Sequence, residues 1–478
     1  MVSRKRPSAV AWRVKVALLA ASALAGLLTQ PAAADTLESA LIQSYQNNPQ
    51  LNAQRAAARV TDENVAIAVS GYRPRVAATA SLGEVYIDTL TRVVGPGGAT
   101  SGYNRAVGEN ATSVYSGTVT QTLFNGFQTS NRTRQAEAQV FSARELLRTT
   151  EQAVLLAAVT AYMNLLRDTA ILELQRSNVT VLEATLQQTR DRFNVGEVTR
   201  TDVAQAESRL AAGRSQMLNA ESNYTTSRST YRQVVGVEPG RLTAAAPVDR
   251  FSPRNLKAAL GRGANEHPAI STAAYNVDAA AFQVKIAEGA LYPNLALQGA
   301  VSKAIGSSNN VNTLQNLTAS AVAQLTVPIY QGGAEYATIR QAKETLGQRR
   351  LDLDTARDQV QQTVTQAWGQ LEAAKAQIEA TTAQVAATEI ALNGVREEAR
   401  VGQRTTLDVL NAQQDLVNAR VALVTAQRDR VVASYTLLSS TGALSPQILK
   451  LRIQNYDPVV HYHQIRDSWF GVRTPDGR

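Results

Sequence analysis

RFNVGEVTRTDV, residues 192–203, and EARVGQRTTLDV, residues 398–409, stand 206 positions apart and share a Val-Gly pair and an aspartate at matching places. The same offset relates Asn125-Gly126 to Gln331-Gly332 and Gly236 to Gly442. Upstream the offset becomes 219, where Tyr72-Arg73-Pro74 answers to Leu291-Tyr292-Pro293. The 13 extra residues fit a longer first-half segment around Gly95-Pro96-Gly97-Gly98. Repetition on this scale is read before the fold, and it predicts two structural halves within one architecture.

Each quoted stretch closes a long apolar seam. Val140, Leu147, Val154 and Ala161 stand seven apart, and Leu165, Leu172, Val179, Leu186 and Phe193 do the same. In the second half Leu346, Leu353, Val360 and Ala367, then Leu371, Ile378, Val385, Leu392 and Ala399, repeat the seam with its four-residue step. A strict seven-residue repeat keeps one helix stripe against a neighbour and imposes supercoiling. The first such helix, about residues 127–194, would be roughly 100 Å long. Shorter helices are expected at 37–70 and 255–289, ahead of the strands, and at 202–235 and 408–441, behind the long helices. Turns at 194–200 and 400–406 make two helical hairpins, and the abundant alanine suits close helix packing.

Strand signals fall between the first two helices of each half, at about 75–87, 114–124, 294–304 and 318–328. Val76, Ala78, Ala80 and Leu82 alternate with smaller or polar residues, as do Tyr115, Gly117, Val119 and Leu123, with Gln121 an exception. Leu295, Leu297, Gly299 and Val301 form one face of the third segment. Ala319, Ala321, Ala323, Leu325 and Val327 form one of the fourth, backed by Ser320, Gln324 and Thr326. Dyad alternation over about ten residues is the pattern of a membrane strand, and equally of an ordinary half-buried one. Four such segments in mirrored places favour the membrane.

The N-terminus agrees. Arg4, Lys5, Arg6, Arg13 and Lys15 precede an apolar run from Val16 to Leu28, and Ala32-Ala33-Ala34 offers a cleavage site before Asp35. This is a secretory signal peptide in form. Without residues 1–34 the formal charge of +9 falls to +4, so basicity gives no argument for nucleic acid. Cysteine is absent, which removes disulfides, thiolate chemistry and a lipid-modified N-terminal cysteine. The chain therefore divides into a signal peptide (1–34), a first repeat (35–241), a linker (242–254), a second repeat (255–444) and a C-terminal tail (445–478).

Four strands cannot close a barrel, and an open edge in lipid leaves backbone groups without partners. Two copies would give eight strands, a size filled by its own side chains, whereas three would give twelve and leave room for water. At this point a resemblance is plain. Arg192-Phe193-Asn194-Val195-Gly196, Thr201-Asp202-Val203, Pro328-Ile329-Tyr330-Gln331-Gly332-Gly333, Gln362-Thr363-Val364 and the stretch from Gly402 to Leu410 closely resemble the TolC family of outer-membrane efflux proteins, over roughly residues 35–445. The resemblance implies a mixed α and β membrane protein. Its homotrimer would form a 12-stranded outer-membrane barrel continued by a periplasmic α-helical barrel, docking onto a periplasmic adaptor and an inner-membrane pump or ABC transporter. The implied role is the exit duct for drug efflux or type I protein secretion.

The resemblance also assigns candidate sites. Thr201, Asp202 and Arg404 match the network that holds the periplasmic entrance closed, and Asp408 matches the first of two aspartates that ring the pore. Asn411 stands where the second ring aspartate is expected, three residues on and on the same helix face, and Ala399 replaces a tyrosine of the lock. A weaker closure and a less negative entrance follow. A blander reading stays open, because Thr199-x-x-Asp202 and Thr405-x-x-Asp408 both have the form of capping boxes. No catalytic constellation, cofactor motif or metal site is expected: there are three histidines, and the His461-x-His463 pair in the tail has no further ligand at suitable spacing. A periplasmic coiled-coil adaptor or scaffold without a barrel is the alternative; it would explain the heptads but not two mirrored strand pairs.

Overall fold

Proline divides both of the shorter helices expected ahead of the strands. In the computed structural model, which describes residues 35–307, 315–475 and 477, the expected first helix is two: α1 (Leu37–Asn47) and α2 (Pro49–Val69). Asn48 stands before Pro49 and takes an extended backbone, as the pre-proline position prefers. Its Oδ1 accepts from the Gln50 and Leu51 amides at 2.9 and 3.2 Å, starting the second helix. The expected signal peptide lies outside the described residues.

The chain continues through β1 (Arg75–Val94), β2 (Thr100–Asn125), α3 (Gln128–Asn194) and α4 (Arg200–Val235). The second half runs α5 (Leu256–Glu266), α6 (Pro268–Gly289), β3 (Asn294–Ser307), β4 (Gln315–Thr326), α7 (Ala334–Arg400) and α8 (Thr406–Ser440), followed by α9 (Pro458–Ile465). The helix read at 255–289 is thus also broken, between α5 and α6, and His267-Pro268 is the counterpart of Asn48-Pro49. Here the His267 side chain is the cap: its Nδ1 accepts from the Ala269 amide at 3.2 Å.

That acceptor must be unprotonated. Burial, and then the nearby Arg148 charge, hold the His267 pKa below its ordinary 6.5. A basic group with a lowered folded pKa contributes stability above its unfolded pKa and loses it as pH falls through the folded value. The thermal stability of the purified protein should therefore fall as pH drops below about 6.5. His267→Asn, which caps at any pH, should flatten that part of the profile; an unchanged profile would remove His267 as its cause.

The four strands form one antiparallel sheet in the order β1-β2-β3-β4. Residues 85–94, read in part as an insertion, pair with 100–110 as a two-stranded ribbon that outruns β3. β-branched residues sustain it (Val85, Ile87, Thr89, Thr91, Val93, Val94), and Gly97 and Gly98 adopt the positive φ its tip requires.

The cross-strand register aligns the alternating residues into two opposed surfaces. Ala80 faces Tyr115, Ala78 faces Gly117, Gly117 faces Val301 and Val301 faces Ala319. Leu82, Val119, Leu297 and Leu325 lie on the same surface. The reverse side carries Thr79 opposite Ser116, Ser116 opposite Ser302, and Ser302 opposite Thr318. Leu82 on the apolar surface is 83 % exposed and Leu317 70 %, so that surface stands open among the described residues. β1 and β4 each have an unpaired edge in this sheet.

The chain forms two compact units, and both long helices contribute to each. The unit formed by residues 35–52, 150–266 and 361–455 is cored by Leu41, Leu155, Tyr162, Tyr231, Leu438 and Leu444. The buried Tyr162 hydroxyl lies 2.6 Å from the Thr243 carbonyl and accepts from the Thr243 amide at 3.1 Å. The segment read as a linker is thereby fastened to the core. The other unit holds the sheet with α2, the strand-side ends of α3 and α7, α6 and α9. Gly126 crosses Gly289 so closely that a Cβ on it would lie 2.2 Å from the Gly289 carbonyl oxygen, and its φ of 63° lies in the left-handed region that favours glycine.

Candidate functional site

Two turns built alike carry the candidate residues. The first long helix ends with the Gly196 amide donating to the Phe193 carbonyl and the Glu197 amide to the Arg192 carbonyl, at 2.9 Å each. The second repeats this with Gly402 to Ala399 and Gln403 to Glu398. Both glycines have φ of 80°, the left-handed C-terminal cap of a Schellman turn. This is why the Val-Gly pair recurs at offset 206.

The return helices then open on matched capping boxes. The Thr199 side chain caps the Asp202 amide, and Asp202 Oδ2 accepts from the Thr199 amide (2.9 Å) and hydroxyl (2.7 Å). Asp408 Oδ2 accepts from the Thr405 amide (3.0 Å) and hydroxyl (2.8 Å). These hydrogen bonds favour the ionised carboxylates and lower both pKa values from 3.8. For an acid with a lowered folded pKa, the stabilisation is complete above about 3.8 and is lost only as pH falls through the lower folded value.

Polar rungs at heptad spacing tie each return helix to its long helix. Arg176–Glu221, Glu183–Arg214 and Arg190–Glu207 close at 3.5, 2.8 and 2.6 Å. In the second hairpin, Glu389–Arg420 (2.7 Å) and Arg396–Gln413 (2.9 Å) occupy the positions 206 residues on. Each exposed pair contributes about 0–1 kcal/mol; their effect is to fix helix register. Gly213 brings α4 so near α3 that a Cβ there would meet Leu182 at 2.7 Å. Leu410 of α8 packs into the same cluster, against Val179, Leu182 and Leu186, joining the two hairpins.

Between the turns lies an open groove of about 880 Å³. Asp202, Arg404, Glu197, Arg192 and Arg400 are among its lining residues. Asp202 and Arg404 therefore share the groove without bonding to each other: Asp202 is engaged by Thr199, and Arg404 Nε donates to Glu398 at 2.8 Å. Glu398, with a smaller effect from Asp408, holds the Arg404 pKa above its ordinary value. Thr201 is exposed on the first turn of α4 and does not line the groove.

Asn411 has a partner that sequence reading missed. Arg209 of α4 donates through Nη2 to Asn411 Oδ1 at 2.6 Å. The two are not related by the repeat offset, so no internal symmetry points to the pair. A cation is thus held one helical turn from Asp408. In the tail, His461 pairs with Asp62 and His463 lies against Tyr462. Among the described residues no group of three or more His, Asp or Glu side chains stands at metal-ligating spacing.

A two-faced antiparallel sheet together with paired long helical hairpins is the arrangement expected of an outer-membrane channel subunit. The sequence profile described as "Outer membrane efflux protein" matches residues 40–237 and 260–443, and the chain belongs to that family. It is 42 % identical over 467 residues to the outer membrane efflux protein BepC of Brucella suis, covering 96 % of each chain. It is 26 % identical over 345 residues to the alkaline protease secretion protein AprF of Pseudomonas aeruginosa, covering 70 % of this chain and 71 % of that one. The solved Campylobacter jejuni CmeC outer membrane channel superposes with a TM-score of 0.73 at 15 % identity, covering 90 % of this chain and 89 % of that one. The protein is an outer-membrane efflux channel component, as its sequence motifs implied. The scaffold reading without a barrel is not supported, and the relatives argue against an enzyme.

Proposed function

We propose that three copies of this chain close a 12-stranded barrel through the outer membrane and, below it, a helical tunnel from their hairpins. The observation that carries this is the four-stranded sheet, apolar on one side, polar on the other, with the outer edges of β1 and β4 unpaired. In lipid those edges must find strands, and further copies of the chain offer edge strands of the same two-faced pattern. The apolar surface then meets lipid and the polar one lines water. An inner-membrane transporter and a periplasmic adaptor feed the tunnel, as expected of a type I secretion or efflux duct, and the charged groove between the turns is where we place adaptor docking. Crosslinking in intact cells, followed by purification of this chain, should recover both partners; recovery of neither would contradict this assembly.

The same groove is the proposed periplasmic gate. Each subunit holds its own turns rigid through the capping boxes, leaving the outer nitrogens of Arg404 to reach a neighbouring subunit. With Ala399 contributing no hydroxyl, few links share the closure. Arg404→Ala should raise resting conductance in planar bilayers severalfold with the trimer intact. Asp202→Ala should do so while also lowering thermal stability, since it dismantles a capping box. Unchanged conductance in both would leave only the capping role. Asp408 and Asn411 are proposed to border the narrowest part of the pore.

A further inference from the structure

We infer that the C-terminal segment Trp469–Arg473 is an interfacial anchor, seated among phospholipid headgroups of the inner leaflet at the foot of the barrel. This rests on the membrane-strand reading above and goes beyond it, assigning a role to a tail that the strands and hairpins do not need.

The tail is led to that place by a series of contacts along α2 and α3. His461 Nδ1 meets the buried Asp62 carboxylate at 3.1 Å, with Arg144 at 4.0 Å from its other oxygen. Arg466 pairs with Glu137 at 3.5 Å. Arg73 then donates to the Ser468 carbonyl and lies over the Trp469 ring, 4.7 Å from its centroid. Arg73 is two residues before β1 begins. The tail thus arrives at the end of the sheet where β1 and β3 start and β2 and β4 finish.

That end is ringed by exposed aromatic side chains. Tyr72 precedes β1, Phe127 follows β2, Tyr292 precedes β3 and Tyr330 follows β4; they are 54, 62, 53 and 74 % exposed. Aromatic girdles of this kind sit at membrane–water interfaces, where an amphipathic ring is half solvated. Trp469 at 66 % and Phe470 at 93 % exposure extend the girdle, whereas a tail ending in water would not be expected to present them. Arg73, whose guanidinium covers the Trp469 ring, is placed to meet anionic headgroups. Phospholipid is the occupant these features favour, over a neighbouring copy of the chain, because exposed aromatic rings and an arginine gathered at one end of the strands match the headgroup region.

The test uses the full-length protein in vesicles of phosphatidylcholine and phosphatidylglycerol brominated at either shallow or deep acyl positions. After residue 34 the tryptophans are Trp368 and Trp469, so Trp368→Phe isolates the probe. The Trp469 emission should be quenched, and more by shallow than by deep bromines. If Trp368→Phe fails to fold, the difference between the unmodified protein and Trp469→Phe gives the same signal. Channel conductance measured in the same vesicles separates the two claims. Conducting vesicles with unquenched Trp469 would overturn the anchor alone, and photocrosslinking of residue 469 to a neighbouring subunit would identify the occupant that replaced lipid. Absent conductance together with unquenched Trp469 would overturn both.

Discussion

Ala321→Arg removes the channel from the outer membrane, whereas Ser320→Arg, one residue earlier, leaves assembly intact and lowers cation conductance. The two positions are adjacent on β4 and point to opposite sides of the sheet. Ala321 is the middle member of the apolar row Leu317, Ala319, Ala321, Ala323, Leu325 and pairs with Gly299 on β3. An arginine there would sit near the bilayer midplane at a cost of about 2–4 kcal/mol per copy, roughly 6–12 kcal/mol for three. That is comparable with the whole stability of a domain. Ser320 pairs with Ala300 on the polar surface, where an added charge meets water. Immunoblots of outer-membrane fractions report assembly, and bilayer recordings report conductance. Equal loss in both variants would mean that the sheet is not two-faced in the membrane.

Arg209→Ala shifts the channel strongly toward cations, and Asp408→Asn shifts it toward anions. The reason is a near-cancellation of charge. Each subunit brings one carboxylate, Asp408, and one guanidinium, Arg209, held on Asn411. Three of each leave the proposed constriction close to neutral, less cation-selective than a pore ringed by two sets of aspartates. Removing Arg209 exposes three carboxylates; neutralising Asp408 leaves three arginines. Asn411→Asp acts in the same direction as Arg209→Ala, with the new carboxylate paired to Arg209. Reversal potentials across a salt gradient measure all three. If Asp408→Asn leaves the permeability ratio unchanged, its carboxylate serves only to cap α8.

What could be read in advance, and what could not, follows from the range of the interactions. The hairpin turns were legible because a Schellman glycine and a Thr-x-x-Asp box are local devices, and two copies 206 residues apart reinforced one another. The breaks at Asn48-Pro49 and His267-Pro268 were equally local. They were missed because each span was read as one helix, across a proline that the backbone cannot ignore. The ribbon of residues 85–110 was read short, since its glycines and polar side chains resemble a loop until the partner strand is in register. Arg209 was invisible for a different reason. Its bond to Asn411 depends on how two hairpins pack, and residues 202 apart have no common local pattern. The proposed gate roles of Asp202 and Arg404 rest on the family resemblance and on their common groove, because the contact proposed to lock the pore lies between subunits.

The most direct measurement exploits the absence of cysteine. One cysteine is introduced on β1, scanned over Ala77, Thr79 and Ser81, and another on β4, scanned over Thr318, Ser320 and Val322, all on the polar surface. If β4 of one subunit pairs with β1 of the next, at least one combination should oxidise in outer membranes to a covalent ladder ending at three chains. The corresponding single-cysteine proteins should give none. A ladder ending at two or at four chains, or no crosslink in any register from a protein that still conducts, would contradict the closed trimeric barrel.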